Sequence, residues 1–223
     1  MEIYIGTSGW QYYHWKGKFY PENLSSKDFL KFYSKHFNTV EINTSFYHLT
    51  KKTTFEKWKN VVANLYELNA NRMRTECELN ANLHRTRTKV RYGVTPNRAL
   101  LWFGIRRKNK NDFLFAVKLY RLFTHLRRLK LKKEDEKILK IFLENVLTLK
   151  ENLGPILIQL PPSFKDKEVL KKFIKKFKTI IKNVFKNKLP LIALEIRNKN
   201  LLTKDVYNFL KKEKIIFVIS DSP

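Results

Sequence analysis

Two carboxylates, Glu41 and Glu195, sit in short apolar runs that read as strands, Thr39-Val40-Glu41-Ile42-Asn43 and Leu191–Ile196. Two carboxylates facing each other across a pocket can divide the work of a general acid and a general base. With His125, in Phe123-Thr124-His125, and Asp221, in Ser220-Asp221-Ser222-Pro223, the same pair could instead ligate a divalent cation. No tight spacing such as His-x-x-x-His favours a metal, and none is expected. The plainer reading is ion pairing, Glu195 with Arg197 and Glu41 with Lys118. His125 suits a general base, because imidazole changes charge near neutral pH, and it suits a packing or capping role equally well. Glu41, Glu195 and His125 are the candidate catalytic set.

Candidate binding residues surround them. Lys118 closes the apolar run Phe113–Val117, so its ammonium must reach an anionic ligand or an ion-pair partner. Gln159 ends another apolar run just before Pro161-Pro162, and Asn43 follows Ile42. Arg197 and Asp221 complete the polar group. Trp10, His14 and Trp15 share one loop with Tyr12. Aromatics in such a loop can stack on a sugar or a base, or can plug the top of the fold. The sequence carries no Walker loop, dinucleotide glycine fingerprint, Cys/His knuckle or nucleophile elbow, and it names no cofactor. The one cysteine, Cys77, lies far from any strand end, which makes it a poor nucleophile candidate.

The elements that must position these residues alternate. Strands are expected at Ile3–Gly6, Thr39–Asn43, Phe113–Leu119, Ile156–Leu160, Leu191–Ile196 and Ile215–Ser220. Helices are expected from Ser25 or Ser26 to His36, from Thr53 or Thr54 to Trp58, from Glu134 to Glu151 with Gly154-Pro155 as its stop, from Asp166 along a 3.6-period apolar stripe, and after Thr203. Alternating strands and helices favour parallel pairing through right-handed crossovers. Trp10, Asn43, Lys118, Gln159, Glu195 and Asp221 then all follow strands, and in a (β/α)8 barrel that is the face where sites are built.

Composition sets the outer limits. A chain of 223 residues with 43% hydrophobic and 14% aromatic content buries a core rather than remaining disordered. Its apolar runs are too short to span a membrane, Glu2-Ile3-Tyr4-Ile5 begins a strand pattern without a signal peptide, and one cysteine cannot form an internal disulfide. A cytoplasmic location is expected. The net charge of +26 has two sources to weigh: A/T-rich codon usage that decorates helix faces with lysine, or a footprint for nucleic acid. Either source favours non-specific binding of polyanions at low salt.

Six blocks carry a family resemblance: "IGTSGWQYYHWKGKFYP" (5–21), "TVEINTSFY" (39–47), "FAVKLYRLFTH" (115–125), "LGPILIQLPPSF" (153–164), "ALEIR" (193–197) and "VISDSP" (218–223). In this order they resemble the YecE-like family, Domain of Unknown Function 72. The resemblance covers residues 1–60 and 112–223 and implies an α/β TIM-barrel-like fold with parallel strands. It supplies no agreed reaction. It also implies an incomplete barrel, six of eight βα units, because the family continues with two further strand blocks. A complementing C-terminal fragment is therefore an expected partner. In the family His and Trp follow the block matching "ALEIR", whereas Asn198 and Leu201-Leu202 stand here.

Residues 61–111 fit none of this. They hold 8 of the 12 arginines but 3 of the 34 lysines, and with three acids they carry a net +8. The pentad Glu67-Leu68-Asn69-Ala70-Asn71 recurs at Glu78-Leu79-Asn80-Ala81-Asn82. In length, composition and placement the segment resembles the in-frame palindromic repeat elements of A/T-rich genes. An inserted Arg-rich lobe without a role in the fold is expected. The functional expectation is a barrel protein, or the remnant of an enzyme, acting on an anionic sugar- or nucleotide-like substrate. The alternative is a basic protein that binds nucleic acid without catalysis.

Overall fold

A computed structural model describes residues 3–63, 113–186 and 189–220. Asp221, the repeated pentad and Cys77 lie outside these residues, as does nearly all of the Arg-rich segment. Six strands form one parallel sheet in sequence order: β1 (Gly6–Ser8), β2 (Thr39–Ile42), β3 (Leu114–Lys118), β4 (Leu153–Gln159), β5 (Ile192–Glu195) and β6 (Ile216–Val218). Each is joined to the next by a crossover containing helix: α1 (Phe29–His36), a single turn α2 (Thr44–Tyr47), α3 (52–63), α4 (Lys133–Leu147), α5 (Lys167–Phe185) and α6 (Lys204–Lys212). The sheet curls into an incomplete α/β barrel. Among the described residues β1 pairs only with β2, and β6 only with β5.

Register decides which side chains share a face. Ser8 stands level with Glu41, Glu41 with Ala116, Lys118 with Leu157, Leu157 with Ala193, and Gln159 with Glu195. Successive side chains alternate across a strand, so these eight residues occupy one face. Val40, Ile42, Phe115, Val117, Ile156, Ile158, Ile192 and Leu194 occupy the other. Apart from Thr7, which stands level with Val40, the second face is apolar and joins Phe29, Leu30, Tyr33, Phe142, Leu143, Leu170, Phe173, Phe177 and Leu210 of the helices in one core. Chemistry is thereby confined to the first face and to the loops that follow its strands.

The helices follow their signals. Asp166 caps α5 by accepting from the Val169 N–H at 2.9 Å, and Thr203 caps α6 by accepting from that of Val206 at 3.4 Å. The serines before α1 do not cap with their side chains; Ser26–Asp28 forms a 3-10 turn instead.

Two strands begin elsewhere than their composition suggests. β1 starts at Gly6, not Ile3, because Gly6 is where the backbones meet: a Cβ there would lie 2.0 Å from the Thr39 carbonyl oxygen. Before that point the Asn38 side chain takes over the pairing, accepting from the Ile5 N–H at 2.7 Å and donating to the Ile3 carbonyl at 3.0 Å. β4 starts at Leu153, so Gly154-Pro155 lies inside a strand rather than ending a helix. The register slips there, between Phe115 and Val117 opposite. A slip tolerates a proline that has no N–H to donate, and Gly154 lets the Phe115 carbonyl approach. α4 ends at Leu147, through Thr148, whose hydroxyl donates to the Asn145 carbonyl.

Candidate functional site

At the C-terminal ends of β1 to β3 the in-register face becomes a polar network. The Ser8 hydroxyl donates to Glu41 Oε1 at 3.0 Å and accepts from Asn43 Nδ2 at 2.6 Å. Lys118 Nζ lies 3.7 Å from the same Glu41 oxygen and 3.5 Å from Asn43 Oδ1, with its side chain 12% exposed. Beneath it, 4.9 Å away, is the face of the Phe46 ring. An ammonium in that position gains from the ring quadrupole while its hydration is reduced. Ser45, fully buried, holds the strand ends together by donating to the carbonyls of Ile42 and Lys118.

The other edge of Phe46 meets His125, whose ring centroid is 4.9 Å away and nearly perpendicular. His125 stands in a π turn, Leu122–Leu126, directly after β3. A π turn widens a helical loop by one residue, and such turns gather at functional positions. Buried Thr124 shares a hydrogen bond with His125 Nδ1 at 2.8 Å. Burial lowers the His125 pKa from the ordinary 6.5, and the charges of Arg121, Lys118 and Arg197 lower it further. The imidazole is neutral at neutral pH, able to take a proton. The three cations that depress it define a region of positive potential.

Glu195 anchors the far side. It is 5% exposed, accepting at Oε2 from Gln159 Nε2 and at Oε1 from Arg197 Nε, both at 2.7 Å. Its partners come from different levels: Gln159 is its register neighbour on β4, and Arg197 follows it by two residues. A buried carboxylate needs such partners. Arg197 Nη groups form no hydrogen bond or ion pair among the described residues, so this guanidinium can orient Glu195 and still receive an anion.

The structure therefore brings Glu41, Asn43 and Lys118 into one network, links His125 to it through Phe46, and joins Gln159, Glu195 and Arg197 in a second. Both ion pairs expected from the sequence are present. The aromatic loop is separate. Trp10 is 4% exposed and packs edge-on against Trp58 at 5.1 Å and against Phe115 at 6.5 Å. Trp15 is half-buried among Tyr12, Phe19 and Tyr20, and His14 is exposed beside Tyr12. Tyr12 turns back to donate its hydroxyl to the Ser8 carbonyl, next to Gly9 at φ 94°. No group of three or more His, Cys, Asp or Glu among the described residues could hold a metal ion.

Sequence reasoning did not single out Ser8, Phe46, Thr124 or Arg121. Ser8 had a legible signal, since it ends a strand beside Glu41. Phe46 had none, because its value lies in which two side chains flank its ring.

A family model described as "Protein of unknown function DUF72" matches residues 4–76 and 97–223. No curated protein matches the chain. Among solved structures, a DUF72 family protein of Thermotoga maritima superposes with a TM-score of 0.61 at 25% identity, over 99% of this chain and 65% of that one. A DUF72 family protein of Enterococcus faecalis V583 superposes with a TM-score of 0.59 at 18% identity, over 99% of this chain and 63% of that one. The chain thus spans just under two thirds of the length of these relatives.

Proposed function

The chain belongs to the DUF72 family, and from that premise we propose that the mouth of its curled sheet binds an anionic, sugar- or nucleotide-like substrate and moves a proton on it. The observation that carries this reading is the placement of Lys118 over the Phe46 face beside Asn43, with His125 against the same ring's edge, where burial first and then the charges of Arg121, Lys118 and Arg197 lower its pKa. Lys118 and Arg197 are each offset by a carboxylate, Glu41 and Glu195, whereas Arg121 has no acidic partner among the described residues, so net positive charge is left for an anion to offset.

In this reading Lys118 and Arg197 take the anionic group. Lys118 is poised by Glu41, Asn43 and the Phe46 face, so little ordering is left to do when a ligand arrives. An arriving anion adds negative charge beside His125 and opposes the depression of its pKa, which raises its basicity when substrate is present. His125 accepts the proton at Nε2 while Thr124 holds Nδ1. Glu41 is the second proton carrier, oriented by the Ser8 hydroxyl that donates to its Oε1. Glu195 holds Arg197 in place. Hydrolysis and isomerisation both use such a set.

Ligand-induced thermal shifts with a panel of sugar phosphates, nucleotides and their uncharged parents test it. Phosphorylated compounds should stabilise the chain and the parents should not. Replacing Lys118→Met should weaken the best binder roughly 10- to 100-fold, the worth of one charge-assisted contact. Equal binding by parent compounds, or no loss in Lys118→Met, defeats the reading.

A further inference from the structure

A cationic cavity of about 270 Å³ lies between two loops on the same end of the sheet as the polar networks. Arg127, Arg128 and Lys130 line it from the segment after the π turn, and Ser163, Phe164, Lys165 and Asp166 from the β4–α5 loop. None of the mouth residues Glu41, Lys118, His125, Glu195 and Arg197 lines it. Four cations face one acid, and that acid already accepts the Val169 N–H.

Its arginines are fixed by one edge each. Arg127 donates through Nε to both oxygens of buried Asp135, at 3.0 and 2.9 Å. Its two Nη groups have no partner among the described residues. Arg128 uses its Nη groups on Ser163, reaching the hydroxyl at 3.2 Å and the carbonyl at 2.6 Å, which ties one loop to the other. Lys130 and Lys165 are exposed, and neither ammonium has a partner among the described residues. The backbone supports this presentation at a cost in strain: Arg128 and Leu129 are consecutive non-glycine residues in the left-handed region, at φ 47° and 65°. Leu129 is held there by burial and by the bond from its N–H to the Phe123 carbonyl at 2.8 Å. On the other side, Asn198 Nδ2 clamps the Phe164 carbonyl at 3.0 Å.

Arginine forks fixed along one edge are preorganised for the oxygens of a tetrahedral anion, and free lysines add charge without fixed geometry. The volume lies just under the usual range for small-molecule pockets. We propose that this cavity is a phosphate subsite separate from the mouth, in which Arg127 Nη, Lys130 and Lys165 hold the phosphate and Arg128 forms the anchored wall. The phosphate belongs either to a small phosphorylated molecule or to a nucleic-acid backbone.

Titration calorimetry of the whole chain with pyrophosphate, at about physiological salt where diffuse attraction is screened, tests the proposal. Saturable binding is expected, weakened about tenfold by Lys165→Gln, an exposed position that leaves the core untouched. The charge-matched control is Lys172→Gln, on the exposed side of α5, and it should bind as the parent does. If the control weakens binding as much as Lys165→Gln, or if nothing saturable is seen, the proposal is overturned. A single-stranded octanucleotide supplies the second arm. Tighter, Lys165-dependent binding that pyrophosphate competes away assigns the subsite to a nucleic-acid backbone; pyrophosphate binding without it assigns the subsite to a small phosphorylated ligand.

Discussion

His125 is the residue whose surroundings set the clearest direction of pH dependence. Its pKa is lowered on folding, by burial first and then by Arg121, Lys118 and Arg197. Between that lowered value and 6.5 the unfolded chain holds a proton that the folded chain has released. Stability therefore rises as pH rises through this window and is lost as pH falls through it. Thermal melts from about pH 7.5 to about pH 5 should show a steeper loss in the parent than in His125→Gln. Parallel curves would mean that folding leaves the protonation of His125 unchanged. Asp135 illustrates the opposite sign. Burial alone would raise its pKa, but the Lys132 N–H and the Arg127 guanidinium outweigh that and hold it below the ordinary carboxylate range. Glu41, Lys118, Glu195 and Arg197 were legible as strand-end polar residues. Phe46 was not, because phenylalanine is ordinary in any loop and only tertiary placement gives its ring these two neighbours.

At the scale of elements, the alternation of strand and helix was readable because a sheet covered by helices demands apolar runs of strand length separated by amphipathic stretches. The boundaries were less readable where backbone contact, not side-chain type, sets them. Ile3-Tyr4-Ile5 has strand composition, yet the ladder begins at Gly6, where glycine alone admits the Thr39 carbonyl. Gly6→Ala should accordingly cost roughly 2 kcal/mol, the usual price of forced overpacking. For a chain of this size that lowers Tm by about 4–8 °C. Denaturant melts would measure it, and an unchanged midpoint would mean that β1 contributes nothing to the cooperative unit. Gly154-Pro155 misleads for the related reason that a register slip lets two breakers sit inside β4.

At the scale of the whole molecule, the net charge of +26 acts differently from the two local sites. The lysines of α5 share their helix with a single acid, Glu168, and pairs elsewhere such as Lys140 with Glu144 are open to solvent and contribute little. Random single-stranded DNA should bind through many such lysines at once. Its affinity should then fall steeply with salt, with a log–log slope of magnitude above about 3, at ~0.7 for each phosphate neutralised. A slope near ~1 would mean that only one of the local clusters makes contact. No described helix is long and apolar enough to cross a membrane. Among the described residues the sheet ends in two strands with a single neighbour each, and around them Ile3, Ile5, Ile216 and Ile219 are exposed.

The Phe46 ring, with Lys118 over its face and His125 against its edge, also acts as an antenna. Protons on His125 lie in the ring current of Phe46, and a fluorine placed at the ring's para position would sense the ammonium above it. Any compound that moves either group changes a single resolvable signal. The mouth can therefore be screened blind, with no reaction assumed and no product to detect, and the first ligand to shift that resonance would name the chemistry.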